Sequence, residues 1–198
     1  MDAQVELISF HSISKGKVGE CGRRGGYFEC FNIDEKVKEM FYKIASVSLC
    51  PPVAGQILVE AMVNPPKLGD PSYPLYNKEM SDIGESLERR AIKLCAAFNQ
   101  LEGVTCNSAE GALYLFPTIT LSPRAIEYAS KLKQQPDEFY AMELLNATGV
   151  CVVAGSGFGQ KPDTWHFRST FLPQEEELDD FILAIKNFHC DFMDKYRI

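Results

Sequence analysis

The sequence holds one tryptophan and three histidines among 198 residues, and its 20 Lys and Arg are outnumbered by 27 Asp and Glu. A formal charge of −7 at pH 7 argues against nucleic acid or an anionic membrane as the main partner, because both are held by basic surface. No apolar run approaches the roughly 20 residues that span a bilayer. Met1-Asp2-Ala3-Gln4 shows neither the basic start nor the apolar stretch of a signal peptide. A phosphate-cradling GxxxxGK(S/T) is absent, since Gly16-Lys17 is followed by Val18, and Gly19, Gly22 and Gly25 are spaced three apart, which does not match a dinucleotide GxGxxG. His11, His166 and His189 are far apart in sequence, and the cysteines at 21, 30, 50, 95, 106, 151 and 190 include no CxxC. No metal site is expected, and the thiols are expected to be reduced and mostly buried in a reducing compartment.

What is present is ordinary globular composition: 45% apolar residues, enough to core one or two small domains. Periodicity predicts mixed α and β throughout, an α/β fold. Strands are expected over 5–10, buried, and over 27–31, with residues 9–26 between them largely loop. Val37, Met40, Phe41 and Ile44 predict a helix with Asp34 as its N-cap, and a shorter helix is expected over 56–63. Four prolines and a glycine in 64–74 mark a boundary, followed by a long helix whose apolar stripe runs Tyr76, Met80, Ile83, Leu87, Ala91, Leu94 and Phe98. Beyond Gly103 a second unit is expected: strands over 112–119, 150–154 and 165–171, helices over 123–132 and 137–147, and a last amphipathic helix from Leu178. The organisation expected is therefore 1–70, 71–102 as a connecting helix, and 103–198.

One segment invites chemistry. Ser9-Phe10-His11-Ser12-Ile13-Ser14-Lys15-Gly16 is followed by the glycine-rich Gly22-Arg23-Arg24-Gly25-Gly26. Two hydroxyls, close-approaching backbone amides and a guanidinium are a donor set for phosphate, and a lysine lifted out of water beside another cation is a competent amine nucleophile toward an aldehyde. A solvated basic loop is the competing reading, since four-residue motifs recur by chance. Arg168, on the otherwise apolar Trp165-His166-Phe167-Arg168, needs an anion if buried, and a planar carboxylate fits its guanidinium. His11 and His166 are weaker acid–base candidates, and His189 is read as structural.

Taken whole, SFHSISKGKVGECGRRGGY resembles the pyridoxal-phosphate lysine segment of the alanine aminotransferase family, within fold-type I. LCPPVAGQ, the NPP turn, LEGVTCNSAEGALYLFP and GSGFGQKPDTWHFRST resemble the same family in the same order, so the resemblance covers the whole chain. It implies pyridoxal 5'-phosphate as cofactor, with Lys15 as the lysine that forms the Schiff base. Ser12, Ser14 and Arg24 would be cofactor-phosphate ligands, and Arg168 the clamp on the substrate α-carboxylate. It further implies part of the large cofactor-binding domain over 1–70 and the small C-terminal domain over 103–198. The implied reaction moves an amino group from L-alanine to 2-oxoglutarate. Amino acid and 2-oxo acid would be the substrates and a second copy of the chain the partner. In the family, the carboxylate on the pyridinium nitrogen and the aromatic on the ring precede the lysine segment. The chain is therefore expected to be a C-terminal portion, inactive alone, of a cytoplasmic or mitochondrial-matrix enzyme. Glutamate:glyoxylate aminotransferase is the alternative within enzymes, and a non-catalytic folding or dimerisation module the alternative outside them.

Overall fold

Asp34 opens the first helix. Its carboxylate accepts the Lys36 amide at 2.8 Å, satisfying one of the donors a helix N-terminus leaves unpaired, and α1 runs Glu35–Val47. The computed structural model describes residues 5–197. Ahead of α1, β1 (Leu7–Ser12) and β2 (Gly26–Phe31) pair antiparallel, from Leu7 opposite Phe31 to Ser12 opposite Gly26. The first strand thus lies two residues later than expected and takes Ser9–Ser12 out of the predicted loop. Nor is it buried, since Phe10 is 77% exposed. The reason is that α1 reaches the hairpin through an edge contact of Phe41 on Phe28, 6.3 Å between centroids, and leaves Phe10 and Phe31 open. The second helix, α2 (Val53–Val63), starts straight after Pro52, earlier than Gln56, because proline sets an extended N-cap and needs no amide partner.

The chain divides into two compact units between Ser81 and Asp82, inside α3 (Tyr73–Phe98). The second unit holds β3 (Val104–Thr105), β4 (Tyr114–Leu115), β5 (Thr118–Ile119), β6 (Val153–Ala154) and β7 (Trp165–Thr170). The sheet order is β3-β5-β7-β4 with β6 also on β7, and every pairing is antiparallel. The strand expected over 112–119, with its late interruption at Pro117, is two short strands separated by Phe116-Pro117. Pro117 has no amide for a ladder, but its carbonyl accepts the Phe167 amide at 3.2 Å. Both halves therefore still pair with β7, Tyr114 opposite Thr170 and Thr118 opposite His166.

Three helices cover this sheet. α4 (Pro123–Lys131) is capped by Ser122, α5 (Pro136–Thr148) opens with a Gln135/Glu138 capping box and stops at Gly149 with φ 76°, and α6 is Leu178–Tyr196. Their apolar faces and the second half of α3 make one core. Phe98 and Tyr140 meet Phe167 at 5.4 and 5.7 Å, and Tyr140 meets Phe192 at 5.1 Å. Its buried histidine and arginine are satisfied. His189, 1% exposed, accepts the Tyr140 hydroxyl on Nδ1 at 3.0 Å and donates from Nε2 to the Glu102 carbonyl at 2.9 Å. Burial holds its pKa below the ordinary histidine value. Arg90, also buried, donates to the Leu172 and Pro173 carbonyls at 3.0 and 3.1 Å, fastening α3 to the segment ahead of α6.

The cysteines are all free, but not mostly buried. Cys21, Cys50, Cys151 and Cys190 are exposed and the other three half-buried, because three of the exposed four lie in turns and Cys190 on the outer face of α6. Burial and the neighbouring Cys95 push the Cys106 thiol up to about 12.

Candidate functional site

The lysine segment is the turn of the β1–β2 hairpin. The Ile13 amide bonds the Gly25 carbonyl at 3.2 Å, one step past the last ladder pair, Ser12 and Gly26. The turn closes on itself: the Glu20 amide meets the Ile13 carbonyl at 2.9 Å and the Ser14 amide the Ser12 hydroxyl oxygen at 2.9 Å. Beneath it, Ile13 is wholly buried. Gly25 and Gly55 let α2 and the turn meet backbone to backbone. A Cβ on Gly25 would stand 2.7 Å from the Gly55 carbonyl oxygen, and one on Gly55 3.0 Å from the Arg23 and Arg24 oxygens.

On this base stand the residues singled out from sequence. Ser12, Lys15 and Arg24 are exposed and Ser14 half-buried. Lys15 is thus not lifted out of water: it stands exposed on the turn. Arg24 holds a left-handed φ of 53° and turns its Nη1 onto the Cys21 carbonyl at 3.0 Å, while Arg23 pairs loosely with Glu20 at 4.0 Å. Two hydroxyls just ahead of an amine, with a guanidinium in the same turn, are a donor set suited to a phosphate monoester that carries an aldehyde. His11 sits in β1 with its ring 5.8 Å from Tyr27.

Arg168 belongs to the second unit. Alternation along β7 buries Phe167 and Ser169 and leaves His166, Arg168 and Thr170 half-buried on the other face. The Arg168 guanidinium lies over the rings of Tyr114 and Phe158, at 4.3 and 5.0 Å. Among the described residues no carboxylate pairs with it, so a polar edge is left for an anion. His166 bonds Gln160 through Nδ1 at 2.7 Å and stacks on Phe116, which speaks for a packing role. Sequence reasoning missed Asp137, Gln160 and Tyr114. The one available signal was the aspartate after Pro136, a helix-start pattern that says nothing of its distant partners. Among the described residues no group of three His, Cys, Asp or Glu could hold a metal, and no helix is long and apolar enough to cross a membrane.

No family model matches the sequence. A probable mitochondrial alanine aminotransferase of Dictyostelium discoideum is 54% identical over 195 residues, 98% of this chain and 36% of that relative. Glutamate–glyoxylate aminotransferase 2 of Arabidopsis thaliana is 49% identical over 193 residues, 98% of this chain and 40% of that protein. Among solved structures, alanine aminotransferase from Pyrococcus furiosus superposes with a TM-score of 0.75 at 25% identity, covering 95% of this chain and 43% of that one. The chain spans about two-fifths of the length of the curated relatives it matches. Over the part it spans, the chain is homologous to alanine aminotransferases and carries the aminotransferase fold-type I architecture.

Proposed function

We propose that this chain supplies the reacting amine, the cofactor-phosphate ligands and the carboxylate clamp of a transaminase that moves an amino group from L-alanine to 2-oxoglutarate. The observation that carries it is 54% identity sustained across 98% of the chain. Residues 1–70 are read as the edge of the cofactor-binding domain, 71–102 as a connecting helix and 103–198 as the small domain. The 49% identity to a glutamate–glyoxylate aminotransferase supports glyoxylate as the runner-up acceptor. A homodimer in the cytoplasm completes the reading, with the mitochondrial matrix the alternative that the Dictyostelium relative's name favours.

Bound pyridoxal 5'-phosphate supplies an aldehyde that condenses with amines and an electron sink that makes the substrate's Cα–H acidic. The chain's own part is positioning and proton transfer. Ser12, Ser14 and Arg24 would hold the phosphate, presented from the closed turn. Arg168 takes the α-carboxylate on the edge of its guanidinium while aromatic rings occupy its faces. Lys15 would take the proton from the amino acid's Cα and pass it to the cofactor's aldehyde-derived carbon, and run the same transfer in reverse for the 2-oxo acid. Covering the turn and excluding water fall to residues outside this chain's length.

Joining the chain to the remaining three-fifths of the Dictyostelium relative tests this reading. Alanine–2-oxoglutarate transamination is expected from the assembly, with negligible turnover by the chain alone. Lys15→Ala should lower the assembled rate at least about 10³-fold. An assembly turning over equally well with Lys15→Ala would overturn the assignment, and faster turnover with glyoxylate than with pyruvate or 2-oxoglutarate would favour the runner-up.

A further inference from the structure

Asp137 is the most deeply buried carboxylate of the second unit, 1% exposed, and no cation faces it among the described residues. Its charge is met by donors instead. Oδ1 accepts the Glu138 amide at 3.0 Å, and Oδ2 accepts the Ser156 amide at 2.7 Å and the Gln160 side-chain amide at 2.8 Å. The carboxylate therefore pins the 155–160 loop at both ends to the first turn of α5.

The same bonds orient Gln160. Its Nε2 is committed to Asp137, so its Oε1 faces His166 Nδ1 at 2.7 Å, and that nitrogen must carry a hydrogen in either charge state of the ring. Gly155 makes room for this bond: a Cβ there would overlap the Gln160 amide oxygen and stand 2.7 Å from the His166 Cβ. His166, held in one rotation, stacks on Phe116 at 5.0 Å with planes 5° apart. Phe116 meets Phe158 edge-on at 5.6 Å, and Phe158 lies 5.0 Å from the Arg168 guanidinium carbon. Every link is a short directional contact, and Phe158 sits on the loop that Asp137 pins.

We propose that Asp137 and Gln160 are positioning residues that hold Arg168 ready for a carboxylate, acting through His166, Phe116 and Phe158. The proposal rests on the reading of Arg168 as a carboxylate clamp. A guanidinium with ordered rings on its faces has fewer rotamers to lose on binding, so a planar anion meets its N–H edge in one geometry. Without the Gln160–His166 bond the His166 ring turns, the Phe116 stack loosens and Phe158 no longer defines one guanidinium plane.

The test uses nuclear magnetic resonance of the full chain with acetate as the probe. In the wild type, His166 is expected as the Nδ1–H tautomer, and acetate is expected to shift the Arg168 Nε–Hε signal saturably. Gln160→Leu should release His166 to the Nε2–H tautomer and weaken acetate about fivefold, the scale of one exposed cation–π contact, with the melting temperature little changed. Asp137→Asn, which turns an amide toward two donors, should act in the same direction; if that variant fails to fold, Gln160→Leu decides alone. A Gln160→Leu protein with wild-type tautomer and wild-type acetate affinity overturns the positioning proposal while leaving the clamp standing. Absence of any acetate response at Arg168 in the wild type overturns the clamp and the positioning proposal together.

Discussion

The two units of this chain fold by different means. The second, from Asp82 onward, owns the whole contiguous core, from Ala91 on α3 to Tyr196 at the end of α6. In the first, Ile13 is the one apolar side chain fully withdrawn from solvent among the described residues, and Phe10, Phe31 and Ile44 are 77, 62 and 66% exposed. Helices, caps and a hairpin form there on local grounds, but a two-stranded ribbon with two partly docked helices buries too little to stand alone. The relatives, of which this chain spans 36–40%, are longer by enough to provide what would cover those faces. The residues proposed to bind cofactor and substrate are shared out in the same way. Lys15, Ser12, Ser14 and Arg24 stand on the unit without a core, and Arg168 on the unit with one.

Truncation breaks that contrast most sharply. Phe167→Ala, in the centre of the second unit, should cost about 3–5 kcal/mol by denaturant unfolding. Phe10→Ser should leave the same transition unmoved and improve solubility. Equal losses from both would mean that the hairpin is cored after all.

A smaller effect comes from pH. Burial holds the His189 pKa below its ordinary value of 6.5, so the unfolded chain binds the proton first. The stability His189 contributes is present above about pH 6.5 and is lost as pH falls toward its folded-state value. Chemical denaturation of the chain at pH 7.5 and 5.5 should show this loss, and His189→Gln should flatten the slope by up to one proton. An unchanged slope would place the sensitivity elsewhere.

Local chemistry was what the sequence made legible. The Asp34 cap, the Gly149 stop, β7 and α6 depend on residues a few positions apart, and their signals survive into the structure. The Lys15 turn could be read for the same reason, as glycines and hydroxyls between two apolar runs. What escaped depends on distant partners. Pro117 splits a strand yet keeps both halves on β7, because its carbonyl finds Phe167 fifty residues away. Burial of Arg90 and Asp137 contradicts their residue types and is bearable only through Leu172, Pro173, Ser156 and Gln160. The exposure of β1 escaped for the opposite reason, since its apolar residues advertise a core that this stretch of chain does not itself supply.

The central claim is that Lys15 is the amine that meets the cofactor aldehyde. It is tested most directly by peptide mapping after pyridoxal phosphate is bound to the assembled protein and fixed with borohydride. The account expects one pyridoxyl group per chain, on the peptide containing Lys15, and its loss when Arg24 is replaced by Gln under limiting cofactor. Label spread over several surface lysines, with Lys15 no richer than Lys17 or Lys43, would contradict it.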